Sequence, residues 1–197
     1  VHLPDGYTLK WTGDFENQQR ASKRLAQVVP VSIAIIFVIL FILFSNARDA
    51  GLVLLNVPFA AAGGIIALLI THFNFSISAG IGFIALFGIC IQNGVIMISG
   101  IKSNVRSHIP LSEAVKNTVR SRVRPVVMTA AMAAIGLMPA ALSHGIGSES
   151  QRPLAIVIIG GVLCDTFFTL FIFPLIVEVI YGKTLYDKEG KLRQRRV

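Results

Sequence analysis

The sequence predicts an all-α integral membrane fold with five transmembrane helices. Three observations carry that expectation. Of 197 residues, 54% are hydrophobic and 14% charged, with a mean hydropathy of +0.72, outside the balance of a water-soluble domain. The apolar residues gather into runs close to the roughly 20 residues that a bilayer core asks of a helix. The 18 Lys and Arg residues, behind a net charge of +8, collect in blocks between those runs. Charge blocks alternating with apolar spans are a topology signal, and they leave nucleic acid a poor explanation for the basic balance.

Residues 1–24 are mostly polar. Tyr7, Leu9 and Trp11 alternate with Thr8 and Lys10, the period-two pattern of a strand. A lone strand cannot fold, so this one reads as the edge of an extracytoplasmic sheet whose other strands lie elsewhere. A polar helix, ENQQRASKRLAQ, then runs into the first span. The chain opens at Val1 without Met and has no signal-peptide architecture, which leads us to expect a piece of a longer polypeptide. The membrane bundle, 25–182, holds spans at about 28–44, 51–71, 77–101, 123–142 and 153–181, and 183–197 form a basic tail.

The positive-inside rule orients the bundle. Lys102, Arg106, Lys116, Arg120, Arg122 and Arg124 crowd the third connection, and the tail carries Lys183, Lys188, Lys191, Arg193, Arg195 and Arg196. The opposite connections, HFNFS and SHGIGSESQR, hold only Arg152. The C-terminus is therefore expected in the cytoplasm and the N-terminus outside. Within the third connection, Leu111, Val115 and Val119 recur at four-residue steps, as in a short amphipathic helix on the cytoplasmic interface or a solvated loop helix. Small residues four apart, Ala60 with Gly64, Ala130 with Ala134 and Gly136 with Ala140, permit close helix approach.

Polar side chains inside spans cost free energy unless they meet partners. Gln92 and Asn93 stand side by side in the third span, roughly 22 to 24 Å from its outer end at about 1.5 Å per residue. Thr129 in the fourth span and Asp165 in the fifth fall at a similar depth. An acid at mid-bilayer costs roughly 2.5 to 3.5 kcal/mol on insertion scales, so Asp165 should face the bundle interior or pair with another helix. Amides and a threonine do not titrate at physiological pH, so a proton pathway through this layer needs carboxylates from elsewhere. Cys90 and Cys164 lie in apolar runs and read as packing residues. His2, His72, His108 and His144 show no paired spacing, and no cofactor or metal site is expected from this chain alone.

The runs FENQQRASKRLAQVVPVSIAIIFVILFILF, LLNVPFAAAGG, SAGIGFIALFGICIQNGVIMIS, RVRPVVMTAAMAAIGLMPAAL and SESQRPLAIVIIGG together resemble the C-terminal part of a resistance-nodulation-division efflux permease, most closely its heavy-metal efflux branch. The resemblance implies the last five of twelve membrane helices, preceded by the end of a periplasmic α+β porter subdomain. It further implies a bacterial inner-membrane homotrimer driven by proton influx, working with a periplasmic adaptor and an outer-membrane channel. The proton-carrying acids of such a permease lie on a helix outside this chain. An isolated segment of this kind is not expected to transport. The alternative is a stand-alone five-helix protein that associates with or regulates a full-length transporter.

Five positions follow from the resemblance or from depth. Gln92 of CIQNGV matches a site that holds Lys or Glu in some relatives, and it cannot act as a charged relay member. Asn93 matches the Asn common in that motif. Thr129 of RPVVMT matches a threonine that rearranges with the relay, and Arg122, which opens that motif, marks the cytoplasmic exit. Asp165 departs from the family pattern, in which its site is usually small or polar and uncharged. Met128, Met132 and Met138 could suit a soft cation, but core packing is the expected reading. No nucleophile and base stand in motif spacing, so no enzyme activity is expected.

Overall fold

The computed structural model describes residues 14–145 and 147–182. The expected strand at Tyr7 to Trp11 and the basic tail lie outside the described residues. The described residues are all helical or in short connections. They form α1 (Asp14–Phe44), α2 (Ala47–Leu54), α3 (Asn56–Ile70), α4 (Ile77–Arg106), α5 (Leu111–Leu142) and α6 (Ser148–Phe167), followed by a π-helical stretch (Phe168–Ile172) and α7 (173–182). Five spans long and apolar enough to cross a membrane result: Lys23–Phe44, Ala47–Ile70, Ile77–Arg106, Leu111–Leu142 and Ser148–Gly182.

Prolines explain the interruptions. Pro58 has no N–H for the carbonyl of Leu54, and its ring crowds that carbonyl, so the second span breaks at Leu55 into α2 and α3. Pro174 stands in the same relation to Leu170. The chain answers by widening, with the N–H of Phe173 bonding the carbonyl of Phe168 five residues back. Asn46 caps α2 by accepting from the Arg48 N–H at 3.1 Å, and Ser76 caps α4 by accepting from the Ala79 N–H at 3.2 Å.

One expectation is corrected here. The amphipathic segment that begins at Leu111 does not lie apart on the interface but opens the 32-residue α5, which runs on through Pro125. Its apolar face has a partner: Ala114, Val115 and Thr118 are buried, and Asn104 of α4 donates to the Thr118 hydroxyl at 2.9 Å. Packing against α4 thus holds the helix in line with the span.

α6 is the central helix, packed against α3, α4 and α5, while α1 touches α2 and α4. Glycines set the α3–α6 distance. A Cβ on Gly63 would lie 2.3 Å from the Cys164 Cβ, and one on Gly160 would lie 2.3 Å from the Ala67 Cβ. Cys164 is therefore a packing residue, as expected, and Cys90 is buried with its thiol donating to the Leu86 carbonyl at 2.8 Å. Ala60 and Gly64 belong to this tight region, whereas Gly136 faces open space.

The apolar core has two parts. One, near the end where Lys102, Arg106 and Arg122 gather (the basic end), holds Leu40, Val53, Met97, Ile101, Phe168 and Phe173 among others. The other, toward the far end, holds Ala60, Phe83, Leu86, Cys90, Val157 and Val162 among others. On α4, α6 and α3 alike, a polar residue stands between the two clusters: Asn93 between Cys90 and Met97, Asp165 between Val162 and Phe168, Asn56 between Val53 and Ala60.

Candidate functional site

The polar layer is built from three helices. Successive residues of a helix point about 100° apart, so Gln92 and Asn93 cannot face the same neighbour. α4 turns Asn93 inward, 5% exposed, and leaves Gln92 exposed on the bundle surface. The Asn93 amide donates to Asp165 Oδ2 at 2.8 Å across the α4–α6 interface. The Thr169 hydroxyl, one turn beyond Asp165 at the start of the π-helical stretch, donates to Asp165 Oδ1 at 3.4 Å. Asp165 and Thr169 are both fully buried. Among the described residues no cation pairs with Asp165, so its carboxyl is met by two neutral donors alone.

Asn56 completes the layer from α3. It is fully buried, neither amide atom has a hydrogen-bond partner, and it packs so closely on Gly94 that a Cβ there would lie 2.4 Å from Asn56 Nδ2. An unsatisfied buried polar group costs about 1–3 kcal/mol. Sequence reading missed Asn56 because it opens a helix after a break, where an Asn passes for an ordinary turn residue.

Of the sequence-predicted residues, the structure joins Asn93 and Asp165 and leaves the others apart. Thr129 is exposed on α5 and donates to the Pro125 carbonyl of its own helix at 2.9 Å. Arg122 is half-buried, and its Nε has no hydrogen-bond partner. Met128, Met132 and Met138 are 63%, 71% and 49% exposed, which corrects the core-packing expectation: they lie on the uncovered face of α5. Among the described residues, no group of three or more His, Cys, Asp or Glu could hold a metal ion.

A second buried carboxylate was also missed. Asp49 of α2, 1% exposed, forms an ion pair with Lys102 of α4 and accepts a hydrogen bond from the Tyr181 hydroxyl of α7. The Lys102 ammonium also lies 5.1 Å from the ring centroid of Phe44, the last residue of α1. Asp49 thus ties three helices together at the basic end, and its Lys102 partner reaches a fourth. Its sequence context hid it, because an acid in the first turn of a capped helix is already accounted for by the helix dipole.

The architecture and these motifs have close counterparts. A family model described as the AcrB/AcrD/AcrF family matches residues 1–181. The chain belongs to this family. It is 44% identical over 183 residues to the cobalt-zinc-cadmium resistance protein CzcA of Cupriavidus metallidurans, which covers 93% of this chain and 17% of that protein. It is 46% identical over 184 residues to protein HelA of Legionella pneumophila, and 34% identical over 192 residues to the cation efflux system protein CusA of Escherichia coli K12. A crystal structure of a heavy metal efflux pump superposes with a TM-score of 0.78 at 43% identity, covering 91% of this chain and 18% of the pump. The chain thus spans under a fifth of the length of these relatives. Its resistance-nodulation-division membership and multi-pass membrane architecture stand on these matches, and relatives such as CzcA and CusA are named for metal resistance or cation efflux. The AcrB/AcrD/AcrF family consists of transporters rather than enzymes.

Proposed function

We propose that this chain is the C-terminal membrane segment of a proton-driven metal-cation efflux permease, with its polar layer forming the part of the proton path that responds to acids on helices outside the chain. The observation that carries this reading is the split between two sets of polar residues. Gln92 and Thr129 are exposed on α4 and α5, open to a neighbouring helix, while Asn93 is hydrogen bonded inward to Asp165. A change of charge beside Gln92 would move α4, and α4 holds the amide on which the Asp165 carboxyl depends.

Asp165 then acts as a second proton acceptor, behind the acids of the main relay. Oxygen atoms on both sides of its carboxyl are already positioned by Asn93 and Thr169, and the π-helical stretch gives the following helix a place to adjust. Arg122 lines the route by which protons leave. The positive-inside rule supports a cytoplasmic basic end and C-terminus with a periplasmic N-terminus. The complete permease would work as a homotrimer with an adaptor and an outer-membrane channel. The metals named for the relatives suggest divalent cobalt, zinc or cadmium as substrate class.

The test is reconstitution of the complete permease in vesicles with an imposed pH gradient and a zinc-sensitive dye. The expected result is zinc movement that requires the gradient and disappears in Asp165→Asn. Gradient-independent movement would overturn the coupling, and full activity in Asp165→Asn would remove Asp165 from the path.

A further inference from the structure

The last two turns of α4 read SGIKSNVR, which sets Ser99, Lys102, Ser103 and Arg106 at positions i, i+3, i+4 and i+7 of one helix face. That face meets the end of α1 across a half-open cavity of about 220 Å³, lined by Leu43, Phe44, Ser99, Lys102, Ser103 and Arg106. A water takes about 30 Å³ of liquid volume, so the cavity has room for a phosphate and part of its hydration shell.

The charges in it are unequal. Lys102 is matched by Asp49 and held over the Phe44 ring. Arg106 is exposed, and its side chain makes no ion pair or hydrogen bond among the described residues, nor do the hydroxyls of Ser99 and Ser103 donate to any. The cavity therefore offers one surplus positive charge, five guanidinium donors and two hydroxyls to an anion.

The wall opposite is apolar and leads into the hydrocarbon. Ile35, Val38, Ile39 and Ile42 are 55%, 55%, 57% and 71% exposed and lie at i, i+3, i+4 and i+7 along α1, a strip that ends at Leu43 beside the cavity. An anion pocket at the end of a membrane-depth apolar strip matches one ligand shape: a charged headgroup with a chain attached. We propose that this cavity binds the phosphodiester of an anionic phospholipid, with Arg106 as its main contact and an acyl chain along α1. Binding of this kind depends on the chain's membrane placement and not on proton coupling.

The experiment is native mass spectrometry of the complete polypeptide in detergent, with neither metal nor pH gradient present, so its outcome is separate from that of transport. Phosphatidylglycerol should be retained over phosphatidylcholine, Arg106→Gln should weaken retention about fivefold, and Arg106→Lys should restore most of it. Ser103→Leu, which fills the cavity and keeps the charge, should weaken it as well. Equal retention of the two lipids, or no change in Arg106→Gln and Ser103→Leu, would overturn the site. Displacement of the lipid by equimolar inorganic phosphate would overturn the lipid and leave a site for a free anion.

Discussion

Two buried carboxylates on the same bundle make opposite bargains with their surroundings. Asp49 has an ammonium and a phenol from two other helices, and it stands at the end of the bundle. Asp165 has an amide and a hydroxyl, neither of them charged, and it stands between the two apolar clusters. A compensated charge resists change, because taking away either partner strands the other in a medium that solvates it poorly. A carboxyl met only by neutral donors takes up a proton without stranding a buried charge, the Thr169 hydroxyl turning from donor to acceptor as the acid becomes O–H. The first arrangement suits a clamp and the second a site that changes state.

That contrast predicts stability effects in a descending series, with the largest transport effect at Asp165 and not at Asp49 or its partners. The largest stability loss should follow Lys102→Met, which leaves Asp49 buried and unpaired, at about 3–5 kcal/mol. Thermal unfolding of the complete permease followed by size-exclusion chromatography would measure it, and adding Asp49→Asn should recover most of the loss. If Lys102→Met is as stable as the parent, Asp49 is no clamp. Tyr181→Phe removes one hydrogen bond to a charged acceptor and should cost about 1.5–3 kcal/mol in the same assay.

Asp165→Asn should cost less, about 0.6 kcal/mol, the average for a polar contact between membrane helices. It should nevertheless abolish pH-driven metal movement in vesicles. Gln92→Leu alters an exposed side chain, so stability should stay within about 0.5 kcal/mol. Metal tolerance of cells that carry this variant in the complete permease should still fall. A Gln92→Leu permease that protects fully would detach the exposed face of α4 from coupling. The chain expressed by itself should confer no metal tolerance, and protection lost in Asn93→Leu would contradict this.

Much of this was legible in the residues, and what was hidden has physical causes. Long apolar runs report spans directly, so all five spans could be read, but depth alone kept Gln92 and Asn93 in one layer, and the structure turns them to different sides. Helix ends were harder to read. The first turn of α5 is polar enough to pass for an interfacial helix, and only its contact with Asn104 and the rest of α4 makes it part of the span. Asp49 looked satisfied by its own helix, and Asn56 looked like a turn residue. Both owe their roles to neighbours far away in sequence, Lys102 and Tyr181 for one and Gly94 beside the other. Asp165 was singled out from depth alone, but its pairing with Asn93 needed the α4–α6 crossing.

The account rests on Asp165 exchanging a proton while Asp49 does not. Infrared difference spectroscopy of the complete permease, stepped between acidic and neutral buffer, tests this directly. The predicted spectrum contains a carboxylic C=O band that vanishes in Asp165→Asn, shifts in Asn93→Leu and is untouched in Tyr181→Phe. A difference spectrum identical in the parent and Asp165→Asn would contradict the account.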